Sequence, residues 1–158
     1  GRARWQMAKN EGVKDRYWSP WFLATRGLIP ELTRLLDSNP EWVDLRDPDF
    51  GYTALHFACR EGGMDNNLEA IKLLIARGAD VNARMDDGRT PLHVAAAYST
   101  REVLLELLAV GANYDAVDKY GCHALDLARQ SQNNRTIEPL FNWNRLVPVL
   151  DEDEEEAD

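Results

Sequence analysis

What this chain lacks narrows its function before any motif is read. No stretch is apolar for the roughly 20 residues that a membrane-spanning helix needs, and no secretory leader is visible. The first residue is Gly1 rather than Met, so an excised or processed fragment is expected. Cysteine is scarce: Cys59 and Cys122 make no disulfide framework, which favours a reducing, intracellular compartment, cytoplasm or nucleus. No C-x-x-C or H-E-x-x-H spacing occurs, and no glycine-rich phosphate loop appears; Gly62-Gly63 falls between helices. His56 and Cys59 lie three apart and Cys122 adjoins His123, yet a nucleophilic site needs an organised pair and an oxyanion pocket. Nothing in the sequence suggests either. The chain reads as a non-enzyme with no cofactor and no metal.

Positive charge is also in short supply, but unevenly so. The chain has 27 acids against 18 Lys and Arg, and the last eight residues, DEDEEEAD, hold seven of those acids. Removing them leaves 27 − 7 = 20 acids against 18 bases, a nearly neutral body. The first nineteen residues lean basic through Arg2, Arg4, Lys9, Lys14 and Arg16. An acidic run repels itself and stays extended. It reads either as a solubilising tail or as a contact for a basic partner, and it could compete for the protein's own binding surface. Direct nucleic-acid binding is disfavoured, because a phosphate-binding surface needs net positive charge.

What is present is repetition. The phrase DGRTPLHVAAA (Asp87 to Ala97) has imperfect copies in FGYTALHFACR (Phe50 to Arg60) and YGCHALDLARQ (Tyr120 to Gln130). Gly88 and Gly121 are 33 residues apart, Gly51 and Gly88 are 37 apart, and LLIARGADVNA is echoed by LLAVGANYDA. A fixed period near 33 signals a helical repeat array. Each recurring position has a mechanical task. Thr90 can N-cap a helix that opens on Pro91, where a missing N–H costs little. Leu92, Val94, Ala95 and Ala96 make an apolar inner helix, and Leu104, Leu105, Leu107 and Leu108 a second helix at helical spacing. Gly78 and Gly111 are placed to end outer helices.

This wording resembles the ankyrin repeat, over roughly Pro20 to Phe141. The resemblance implies an all-α solenoid of about four helix-turn-helix repeats joined by hairpin-like fingers, with helical flanking segments. By position, His56 and His93 match the family's TPLH histidine, which orders the turn by hydrogen bonds to the Thr and nearby backbone. In the last repeat His123 stands at the Thr position and Asp126 at the His position, an exchange able to keep a side-chain hydrogen bond with donor and acceptor reversed. The expected divisions are a flanking segment 1–19, repeats 20–48, 49–85, 86–118 and 119–141, a capping segment 142–150 and an acidic tail 151–158.

The ends depart from the pattern, as terminal repeats of a solenoid do. Between Ser19 and Asp47 the TPLH phrase is gone, and Pro139 falls where an outer helix should be continuous. Trp5, Met7, Tyr17 and Trp18 are expected to cover the first repeat, and Phe141, Trp143, Leu146, Val147, Val149 and Leu150 the last. Between Gly62 and Glu69 six residues stand where repeat three has two, so GMDNNL is expected to bulge from the turn between two helices. Such an insertion is either functional or neutral drift.

Binding remains. Ankyrin arrays usually hold partners along the finger tips and the inner-helix face. Aligning the repeats selects Phe50, Tyr52, Met85, Asp86, Arg89, Lys119 and Tyr120 on the fingers, and Arg60, Glu61 and Tyr98 at the inner-helix ends. Tyr and Arg are over-represented among residues that dominate binding energy. The expected partner of this groove is another protein, as an extended peptide or a loop, possibly a basic one; the chain itself is expected to be a monomer without membrane insertion. The reading is an adaptor or scaffold module. The alternatives are an escort for a basic protein of histone or ribosomal type, whose binding would weaken steeply with salt, and a targeting domain of a larger enzyme.

Overall fold

The computed structural model describes residues 18–60 and 67–143. Among these the chain is all-helical, in four helix pairs: α1 (Pro20–Thr25) with α2 (Ile29–Ser38), α3 (Ala54–Arg60) with α4 (Asn67–Ala76), α5 (Pro91–Tyr98) with α6 (Arg101–Ala109), and α7 (Ala124–Gln130) with α8, helical from 134 to 143. A 3-10 turn, Pro40–Asp44, follows α2. The inner helices α1, α3, α5 and α7 pack side by side in series, and each leads into its own outer helix.

Small residues allow the close approach of the inner helices. Ala54, Ala58, Ala95, Ala96, Ala124 and Ala128 are buried, flanked by Leu55 and Leu92 from the same helices and by Leu32, Leu36, Leu74, Leu104 and Leu107 from the outer row. The helix starts follow one rule. Thr90 accepts the His93 N–H and Pro91 occupies the first turn. Ser19 accepts the Phe22 N–H at 3.1 Å ahead of Pro20. Repeat one therefore keeps the capping half of the TPLH phrase as Ser19-Pro20-Trp21-Phe22, which the sequence comparison missed. Gly78 and Gly111 follow the outer helices with positive φ, as expected.

One expectation is corrected. Pro139 does not interrupt the last outer helix, which runs through it. That helix is anchored upstream, where Asn133 Nδ2 donates to the Ala96 and Ser99 carbonyls at 3.0 and 2.9 Å and Thr136 Oγ1 donates to Ala96 O at 2.6 Å. Of the insertion expected to bulge, Asn67 and Leu68 belong to α4, and buried Asn67 donates to Ala58 O at 3.1 Å. Its other residues, Glu61, the flanking residues Trp5, Met7 and Tyr17, the capping residues from Leu146 to Leu150 and the acidic tail lie outside the described residues.

Candidate functional site: fingers and inner-helix ends

Between helix pairs the backbone folds into three fingers of one design. In the first, the Asp47 N–H donates to Tyr52 O at 2.8 Å and the Gly51 N–H to Asp47 O at 3.2 Å. In the second, Met85 N–H meets Arg89 O at 2.9 Å and Gly88 N–H meets Met85 O at 2.8 Å; in the third, Asp118 N–H meets Cys122 O at 3.0 Å and Gly121 N–H meets Asp118 O at 3.0 Å. The fingers are tied to one another by Asp86 N–H to Phe50 O at 3.0 Å, Lys119 N–H to Asp87 O at 2.9 Å, and Arg84 Nη1 to Val117 O at 2.8 Å.

These bonds explain two departures from the expected binding set. Asp47, Met85 and Asp118 hold the same place at the finger base, and all three are buried. The two carboxylates there accept turn N–H groups, Asp118 from Tyr120 and Cys122 at 2.9 Å each. Met85 fills that place with an apolar side chain, so it faces inward and is not an exposed anchor. Arg89 is largely occupied: its Nε lies 3.4 Å from both Asp87 and Asp118. Burial opposes the charge on Asp118, but the Cys122 and Tyr120 N–H groups and the Arg89 guanidinium outweigh it and hold that carboxyl below its ordinary value. Arg89 braces one finger against the next.

The remaining residues reach the surface. Phe50, Tyr98 and Tyr120 are 60%, 53% and 68% exposed, and Arg60, Asp86 and Lys119 are exposed beside them. Tyr52 is half-buried, with its ring 6.0 Å from Phe50, 5.8 Å from His56 and 5.0 Å from Phe57. Burial raises the Tyr52 phenol pKa, while the nearby Arg60 charge lowers it. The Arg60 guanidinium carbon lies 6.0 Å from the centre of the Tyr98 ring, and Lys119 Nζ lies 5.2 Å from that of Tyr120. The structure thus joins Phe50, Tyr52, Arg60 and Tyr98 into one surface and pairs Lys119 with Tyr120.

The titratable residues beneath this surface are committed to structure. His56 Nδ1 accepts the Thr53 N–H at 3.2 Å and lies 2.9 Å from Thr53 Oγ1, which leaves Nε2 to donate to Arg89 O at 3.1 Å. His93 repeats the pattern with Thr90 and with Cys122 O at 2.9 Å. Burial pushes the His56 pKa down to about 4 and lowers that of His93. Burial pushes the Cys59 thiol up. A protonated thiol beside an imidazole with both nitrogens engaged is no nucleophile–base pair. No cluster of His, Cys, Asp and Glu suited to a metal occurs among the described residues.

Comparison with known proteins agrees with the helical-repeat fold. The family model for ankyrin repeats (3 copies) matches residues 6–85 and 63–145. Protein phosphatase 1 regulatory subunit 27 of Mus musculus is 33% identical over 102 residues, covering 65% of this chain and 63% of that protein. Protein phosphatase 1 regulatory subunit 12A of Mus musculus is 40% identical over 85 residues, 54% of this chain and 8% of the relative. SH3 and multiple ankyrin repeat domains protein 2 of Homo sapiens is 36% identical over 94 residues, 60% of this chain and 5% of the relative. The chain spans less than two thirds of the length of each of these relatives.

Proposed function

Because this chain belongs to the ankyrin-repeat family, and is therefore built as a protein–protein interaction module, we propose that it is a non-catalytic adaptor holding an extended segment or loop of another protein across its fingers and inner-helix ends. The observation that carries this reading is the shared exposure of Phe50, Tyr98 and Tyr120, large aromatic side chains from three successive repeats. Lone exposed aromatics are common, whereas aligned ones beside Arg60 and Lys119 make the anchor type that dominates interface energies. Two of the relatives carry names of phosphatase regulatory subunits rather than of enzymes, which favours a regulatory or adaptor role. In this reading the module works as a monomer inside the cell, with no nucleic-acid or membrane partner. Its binding set is Phe50, Tyr52, Arg60, Asp86, Tyr98, Lys119 and Tyr120; Met85 and Arg89 are left out of it.

The test is quantitative capture of cellular partners by the intact chain, by Phe50→Ala/Tyr98→Ala/Tyr120→Ala, and by Arg101→Ala on the exposed side of α6 as control. Truncating one true anchor removes about 2 kcal/mol of affinity, so the triple variant is expected to lose its partner while the control keeps it. Equal capture by all three proteins would end the groove reading.

A further inference from the structure

The inner helices finish in one column of side chains, one per repeat. Counted from the residues that precede the four helices (Ser19, Thr53, Thr90 and His123), the seventh position is Arg26, Arg60, Ala97 and Gln130. Arg26, Arg60 and Gln130 are exposed and Ala97 is half-buried, which leaves the column open along its length. The finger arginines are spent on structure. Arg84 donates to Gly88 O and Val117 O, Arg89 is held by Asp87 and Asp118, and Arg46 donates to Arg84 O. Arg26 and Arg60 have no carboxylate partner among the described residues. Arg60 lies over the face of Tyr98 from the next repeat. An aromatic ring under a guanidinium fixes its plane while leaving the N–H fork open.

We propose that this column reads an extended acidic segment of a partner protein, one carboxylate docking on Arg60 beside Tyr98 and a second on Arg26. The proposal deepens the adaptor reading and rests on it. Three features select the occupant. The guanidinium fork matches a carboxylate in bidentate geometry, a charge-assisted contact stronger than a neutral hydrogen bond. Neighbouring helices pack about 8–10 Å apart, and a polyproline-type strand advances about 9 Å in three residues, returning to the same face. Acids at every third position therefore meet successive arginines in register. Finally, exposed Asp49 and Asp86 at the finger tips repel acids there, which confines the acidic face of the segment to the inner-helix side.

The full chain, labelled with 15N at arginine, would be titrated with the peptide Glu-Pro-Pro-Glu-Pro-Pro-Glu and with its counterpart carrying Lys for every Glu. The expected result is movement of the Arg60 and Arg26 Nε–H signals with the acidic peptide alone, weakened at least fivefold between ~50 and ~300 mM salt as charges are screened. Arg60→Gln, which removes the charge but keeps a planar polar end at an exposed site, should weaken binding at least fivefold, and Arg60→Lys should fall between. Equal shifts with both peptides, no shift at Arg60, or unchanged binding by Arg60→Gln would each overturn the proposal. So would a chain ending at Leu150 that binds the acidic peptide more than tenfold tighter than the full chain, because the resident occupant would then be the chain's own 151–158. If the peptide fails while capture still depends on Phe50, Tyr98 and Tyr120, the acidic specificity falls and the adaptor reading stands.

Discussion

Repeats two and three solve with a buried ring what repeat four solves at the surface. His56 and His93 are sealed from solvent, and each bridges its own helix start to a carbonyl in the following finger. In repeat four the side chains of His123 and Asp126 are 49% and 45% exposed. Asp126 accepts the His123 N–H at 2.8 Å with the ring nitrogen 3.4 Å away. The reversed pair keeps the helix start but reaches no further. Repeat one divides the work differently: Ser19 caps the helix, Phe22 stands in the histidine's place, and the Trp21 indole donates to Leu45 O at 2.8 Å. The histidine thus performs two separable tasks, capping its own helix and tying down the next finger. Only the second requires burial.

The sharpest way to break that comparison is to delete the bridge. His56→Ala leaves the Arg89 carbonyl and the Thr53 N–H without their partner and opens a cavity, so a loss of about 3 kcal/mol or more in urea unfolding is expected. Asp126→Ala removes an exposed cap and should cost below about 1 kcal/mol. Similar losses at the two sites would contradict the division of tasks.

Acid offers a second test. The folded-state pKa of His56, about 4, lies below the ordinary 6.5. Between those values the unfolded chain binds more protons than the folded one. Stability is therefore complete above pH 6.5 and is lost as pH falls toward about 4, by roughly 3 kcal/mol for the whole interval. His93 acts in the same direction. Asp118, whose carboxyl is lowered from 3.8, loses its contribution only below that window. Urea midpoints measured at pH 7.5, 6 and 5 should decline in the wild type and decline less in His56→Ala; a flat profile would contradict the buried neutral ring.

The smallest effect discriminates fingers. Gly88 and Gly121 adopt φ of +84° and +79°, so alanine at either is strained by about 1 kcal/mol. A Cβ on Gly88 would lie 3.1 Å from the Lys119 nitrogen and 3.3 Å from the Asp118 Cα, whereas one on Gly121 meets nothing within 4 Å. Gly88→Ala should therefore cost about 2 kcal/mol and Gly121→Ala about 1 kcal/mol in the same unfolding assay. Equal costs would mean that the fingers are not pressed together.

The repeat, its helix starts at Thr90 and its outer-helix glycines were legible in the sequence because each is enforced by local chemistry. The exposed aromatics were legible because alignment exposes positions free of packing duty. Direction was less so. Met85 stands in a polar stretch, and only the finger hydrogen bonds show that it replaces an inward-facing aspartate. Arg89 looked like an anchor because its partner Asp118 is 29 residues away and arrives only when the fingers stack. Ser19-Pro20 was overlooked because the histidine that makes the phrase recognisable is a phenylalanine there. Pro139 looked like a break because its missing N–H is visible in sequence, while the anchoring of α8 by Asn133 and Thr136 is not.

The side-chain bonds that join repeats span 26 to 40 residues, from Tyr114–Leu140 to Ala96–Thr136. Among the described residues each repeat is thus fastened only to its neighbour, and a pull applied to the two ends would be borne in series, one fastening at a time. Such a chain resists tension no better than its weakest junction. A partner lying across several repeats would act as a splint, sharing the load among junctions that the protein alone must carry singly.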